Sequence, residues 1–149
     1  MKQSIKERIH ALRMTFRPNN IKAFIIPSTD PHLSEYVAPY WMSREWISGF
    51  TGSAGTAVIL MDKAGLWTDS RYFLQAGIQL ERSDFILFKD GLPETPSIQK
   101  WLVDTLPSGS VIGIDGSMFS YSEAQQLKHY FEDKGFSLIS DFTPFEKIW

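Results

Sequence analysis

Residues 48–60 read SGFTGSAGTAVIL, with Gly49, Gly52 and Gly55 evenly spaced ahead of an apolar run. Two structures compete for such a stretch. A phosphate-cradling loop lies between a strand and a helix, and it usually carries a lysine followed by Ser or Thr. Here the glycines precede Thr56 to Met61 (TAVILM), continuous and rich in β-branched residues, the pattern of a strand covered on both faces. No lysine lies in the stretch, and with no helix following there is no helix N-terminus to hold an anion. The glycines therefore predict a tight turn into a buried strand, not a nucleotide site.

Outward from that strand, Lys63-Ala64-Gly65 reads as a turn and Leu66-Trp67-Thr68 as the return strand of a hairpin. Asp69 is placed to cap a helix over RYFLQAGIQL, and Phe85 to Lys89 (FILFK) is another strand. Upstream, Ile5, Ile9, Leu12 and Phe16 recur at helical spacing behind a Ser4/Glu7 capping box. Pro18-Asn19-Asn20 ends that helix, and Ile21 to Pro27 reads as a strand. Asp30-Pro31 resembles an N-cap and first-turn proline for a short helix in PHLSEYV. Downstream, Thr95-Pro96 opens a helix over Ser97 to Leu106, and Ser110 to Asp115 is a strand. A helix over Ser120 to Lys134 has Ser120/Glu123 as its box and Gly135 as its stop, and SLISD closes the chain as a strand. Strands alternating with helices around one hairpin predict a single α/β domain over 1–149, a three-layer sandwich about a mixed sheet.

Composition narrows the function. The 149 residues are 43% hydrophobic and 21% charged, an ordinary globular balance. A net charge of −2 gives no basic footprint for nucleic acid. No apolar run approaches the roughly 18 residues of a membrane span, and the charged N-terminus has no signal-peptide core. A soluble cytoplasmic protein is the default expectation. The absence of cysteine rules out disulfides and thiolate sites. The chain stops on Trp149 after TPFEKI, which reads as a domain that continues into a longer protein.

Few residues look chemical. His10 and His129 fall on polar helix faces, whereas His32 has Asp30 and Glu35 nearby. That trio could ligate zinc or manganese, but Asp30 already serves as a cap, and a hydrolytic centre needs three protein ligands or more. Asp62, Asp69 and Asp115 each follow an apolar run, as the acids of ribonuclease H-type nucleases do; the simpler reading makes them caps and turn residues. Tyr36, Tyr40, Trp41 and Trp46 crowd around Pro39 and Arg44, a mixture that suits a core or an interface equally.

In order along the chain, IIPSTDPHLSEYVAPY (25–40), Arg44-Glu45-Trp46, SGFTGSAGTAVI (48–59) and WTDSRYFLQA (67–76) resemble the N-terminal domain of Xaa-Pro aminopeptidase, aminopeptidase P. The likeness is to the long, multidomain branch of the creatinase/prolidase-related family. It implies the creatinase N-terminal fold, a three-layer α/β unit with a ribonuclease H-like motif. It also implies that chemistry resides in a separate catalytic domain, where two divalent ions, manganese or zinc, held by two aspartates, two glutamates and a histidine, activate water. No catalytic residue and no metal ligand carries over onto this chain, whose parent would add middle and catalytic domains.

The resemblance further implies peptides with proline in second position as the parent's substrates, the parent's own domains as partners, and room for a homodimer. Arg71, the arginine of the WTD-x-RY motif, is the implied substrate-binding residue, with His32 and Asp30 as weaker candidates. Ser70 departs from the glycine that relatives often carry at that turn. Two accounts of Arg71 stay open: a local pair with Asp69, or a guanidinium held over bound peptide. The rival to the peptidase reading is a free-standing interaction module.

Overall fold

The central pair of strands, β1 (Ile21–Ile26) and β2 (Thr56–Leu60), alternates between two hydrophobic layers from Ala23 and from Ala57 onward, after an irregularity between Ile21 and Ala23. Phe24, Ile26, Ala57 and Ile59 enter one core, while Ala23, Ile25, Val58 and Leu60 enter the other. A strand buried on both faces needs a layer of helices on each side. The computed structural model, which describes residues 4–27, 43–52, 54–81 and 83–148, supplies both layers.

The sheet is completed by β3 (Ala64–Thr68), β4 (Phe85–Lys89), β5 (Val111–Ile114) and β6 (Ser137–Ile139), in the order β4-β3-β2-β1-β5-β6. β2 is antiparallel to both its neighbours, and the remaining pairs are parallel. One face is covered by α1 (Ile5–Phe16), α2 (Ser43–Ser48), α3 (Phe73–Gln79) and α6 (Phe145–Ile148); the other is covered by α4 (Ile98–Thr105) and α5 (Tyr121–Asp133). The three-layer α/β expectation holds. Both capping boxes form, at Ser4/Glu7 and Ser120/Glu123, and Gly135 stops α5 with φ +85°.

The differences are local. Lys63-Ala64-Gly65 is not the hairpin turn: the bend is at Met61–Lys63, closed by Leu60 N–H donating to the Lys63 carbonyl at 2.8 Å, and Ala64 and Gly65 already belong to β3. Gly65 serves packing there, because the Phe88 and Trp67 rings fill the space its Cβ would need. Helices α2 and α6 have no counterpart in the sequence reading; at four to six residues they are too short to show a periodicity. The short helix expected after Asp30 lies outside the described residues.

Candidate functional site

Because β2 runs against its neighbours, its start shares one sheet edge with the ends of β1, β3, β4 and β5. The register places Ile26 opposite Ala57, Thr56 opposite Trp67, Thr68 opposite Lys89 and Ile25 opposite Ile114. The glycine loop, Asp69, Asp90 and Asp115 all follow or precede strands at this edge. In open α/β sheets the carboxyl ends of strands are where ligands bind.

The glycine loop wraps a phenylalanine. Phe50 is fully buried in the core, and a Cβ added at Gly52 would meet its Cζ at 2.3 Å and the Tyr72 ring at 2.9 Å. At Gly55 a Cβ would lie 3.2 Å from both the Phe50 ring and the Trp67 carbonyl oxygen. Gly49 takes a φ of +76°. The loop's N–H groups point into the protein: Gly49 donates to the Glu45 carbonyl at 2.8 Å, Phe50 to Ser48 Oγ at 3.1 Å and Thr51 to Gln79 Oε1 at 3.0 Å. A phosphate cradle needs such donors free and convergent. Those of Gly49, Phe50 and Thr51 are spent within the protein.

Arg44 holds the loop from within. Its residue is 5% exposed, and its guanidinium donates to the Phe50 carbonyl at 2.7 Å and to the Gly52 carbonyl at 2.6 Å. The same group lies 5.0 Å from the Phe50 ring centroid. Burial lowers its pKa, opposed by the charge of Glu45. Sequence reasoning grouped Arg44 with the aromatic cluster and missed this role; an arginine among short polar and aromatic residues just ahead of a glycine loop was the only hint. Trp46 of that cluster packs edge-on to Phe145, with ring centroids 6.0 Å apart, and Arg8 lies over its ring at 5.0 Å, so it is structural. Tyr36, Tyr40 and Trp41 lie outside the described residues.

The exposed chemistry is at the end of β3. Asp69 caps a single 3-10 turn, Ser70–Tyr72, which leads into α3, instead of capping the α-helix itself. Arg71 folds back on that cap: its backbone N–H and its Nε reach Asp69 Oδ1 at 3.0 Å, and Nη2 reaches Oδ2 at 2.8 Å. Both side chains face solvent, 66% and 40% exposed for Arg71 and Asp69. The hydrogen bond from Arg71 holds the Asp69 carboxyl below its ordinary range, and the Arg71 guanidinium is correspondingly raised. The folded-state pKa of Asp69 is the depressed one, so the pair is present above the unfolded value and is lost as pH falls through the folded value. In an NMR titration Asp69 should therefore titrate below the ordinary ~3.9, and Arg71→Ala should return it toward that value. An Asp69 titration indifferent to Arg71 would mean that the pair does not form in solution.

Two of the five guanidinium donors are taken by Asp69, which leaves an outer edge able to bind a carboxylate or carbonyl oxygens. Beside the pair, a groove of about 290 Å³ opens toward the start of α4, lined by Gly55, Thr68, Asp69, Asp90 and Ser97 among others. Asp115 caps the turn Gly116–Met118 through Ser117, and Asp62 lies 3.8 Å from Lys63, so the three strand-end acids have separate local partners. His10 and His129 are exposed on their helices. His32 and Asp30 lie outside the described residues. Among the described residues, no three His, Asp or Glu side chains gather as a metal site would require, and no helix is long and apolar enough to cross a membrane.

Residues 8–147 match the family model described as the creatinase/prolidase N-terminal domain. The chain is 45% identical over 91% of its length to aminopeptidase P2 of Arabidopsis thaliana, of which it covers 19%. It spans about a fifth of the length of the curated relatives it matches. The X-prolyl aminopeptidase of Caenorhabditis elegans, described as a cytosolic enzyme with a di-nuclear active site, superposes with a TM-score of 0.93 at 32% identity, over 99% of this chain and 26% of that one. A chain of aminopeptidase P from Streptococcus thermophilus shares the fold at 24% identity with a TM-score of 0.67; 98% of that chain is covered, so a piece of this size forms the fold by itself.

Proposed function

This chain belongs to the creatinase/prolidase N-terminal domain family, and from that premise we propose that it is the non-catalytic N-terminal domain of a metal-dependent Xaa-Pro aminopeptidase. The observation that carries the reading is the pairing of near-complete coverage of this chain with about a fifth of its relatives. The remaining four-fifths would hold the middle and catalytic domains. The parent's two divalent ions, manganese or zinc, would sit there, since the described residues offer no ligand set for them. The worm relative is described as cytosolic, and we extend that location to the parent.

The domain's contribution would be recognition. A bond preceding proline has no N–H on its second residue, so strand pairing cannot hold the peptide there, and side-chain donors must do so. Arg71 suits the task. Asp69 fixes one edge of its guanidinium and the other edge remains open to peptide oxygens. His32 and Asp30 are weaker candidates for the same role. In the full-length enzyme Arg71→Ala should lower kcat/KM for an Xaa-Pro peptide by roughly ten- to a hundredfold with the melting temperature little changed. Arg71→Lys should restore only part, since an ammonium keeps the charge without the fork. Cleavage by the alanine variant at the parent rate would reduce Arg71 to a surface ion pair.

A further inference from the structure

Among the described residues, helix α3 carries an exposed apolar face. Its sequence, FLQAGIQ, contains no charge, in contrast to the outer faces of α1 and α5, which carry Lys6, Glu7 and His10 or Glu123, Lys128 and Glu132. Ala76 packs inward, and Gln75 and Gln79 are engaged with Thr51. The outward positions are Leu74, 80% exposed, and Ile78, 63% exposed, with Gly77 between them. Single exposed aliphatics are ordinary. The glycine is not: a Cβ there would meet nothing within 4 Å, so no contact among the described residues requires it. Glycine inside a helix is less stable than alanine, and its use here exposes bare backbone for close approach by another surface.

We infer that the Leu74–Gly77–Ile78 face docks against the catalytic part of the same polypeptide and thereby positions Arg71. The inference rests on the N-terminal-domain reading above. Arg71 sits in the 3-10 turn Ser70–Tyr72 that leads directly into α3, so a partner that fixes this helix also fixes the base of the arginine. Two aliphatic side chains fall far short of the ~800 Å² per partner that a separate stable complex buries. A contact within one chain needs much less, because its effective concentration is high. With about four-fifths of the relatives' length lying outside this domain, that occupant has ample surface.

Chain 1–149 has no cysteine, and site-resolved detection separates an introduced thiol from any elsewhere in the full-length protein. Leu74→Cys and Ile78→Cys are placed singly in chain 1–149 and in the full-length protein, and maleimide labelling at each site is followed by mass spectrometry. Labelling in the full-length protein should be at least tenfold slower than in chain 1–149, while Tyr121→Cys, at a site 82% exposed, should label alike in both. Equal rates at 74 and 78 in a full-length protein that cleaves Xaa-Pro peptides would overturn the docking and leave the domain reading standing. Protection in chain 1–149 that grows with its concentration would overturn it in favour of a second copy. A full-length protein that removes nothing from Xaa-Pro peptides would overturn the domain reading, and the docking with it. The premise has its own check: Gly77→Ala should raise the melting temperature of chain 1–149, and a lowered one would show that the glycine serves this domain.

Discussion

Arg44→Ala is expected to destabilise the domain by about 3–5 kcal/mol, the largest effect of any single change proposed for this chain. The guanidinium is the donor for two carbonyls of the glycine loop, at Phe50 and Gly52, and alanine leaves both facing a protein interior. Each buried acceptor without a partner costs on the order of 1–3 kcal/mol. The contact with the Phe50 ring is lost as well. Relief of the guanidinium's own desolvation offsets part of this, which keeps the total within the stated range. Arg44→Lys should recover only a fraction, because one ammonium cannot reproduce a fork aimed at two oxygens. Urea midpoints of chain 1–149 measure both. An alanine variant with an unshifted midpoint would mean that water or other donors reach those carbonyls, and that the loop does not depend on Arg44.

Gly52→Val should be nearly as damaging, about 2–4 kcal/mol, by a different route. The added Cβ falls 2.3 Å from the Phe50 ring, which is fully buried with the Tyr72 ring edge-on to it. Gly55→Val meets its neighbours at 3.2 Å and should cost less, about 1–3 kcal/mol. The order matters more than the values. If Gly55→Val proves worse than Gly52→Val, the clash with Phe50 is not what fixes the loop.

Much of this was legible in the sequence because local signals agreed with each other. TAVILM is apolar without alternation, and only a strand between two helical layers buries every side chain; the structure places Ala57 and Ile59 on one side, Val58 and Leu60 on the other. The capping boxes and the glycine stop marked helix ends to within a residue. The turn at Met61–Lys63 was misplaced because glycine was read as a turn residue, when at Gly65 it makes room for stacked rings 4.0 Å apart. Arg44 was illegible for another reason. Which backbone groups a buried arginine satisfies depends on how a loop six to eight residues away folds back, and no periodicity records that. The Leu74–Ile78 stripe escaped as well, since an apolar pair at helical spacing reads as core until its exposure is known.

Arg71 shows where sequence and structure meet. Its pair with Asp69 follows from adjacency and the cap, and it accounts for the cation at the start of a helical turn, a position that is unfavourable by itself. The pairing engages Nε and Nη2 and leaves the side chain 66% exposed. A local ion pair and a peptide contact are therefore compatible uses of one side chain.

The central claim, that this domain serves a peptidase whose chemistry lies elsewhere in the polypeptide, is tested most directly by amino-terminal release from two peptides that differ only in proline or alanine at the second position. The full-length protein, supplied with manganese or zinc, should release the first residue from the proline peptide and strongly prefer it, while chain 1–149 under the same conditions should release none. Turnover by purified chain 1–149, or a full-length protein that leaves the proline peptide intact, would contradict the account.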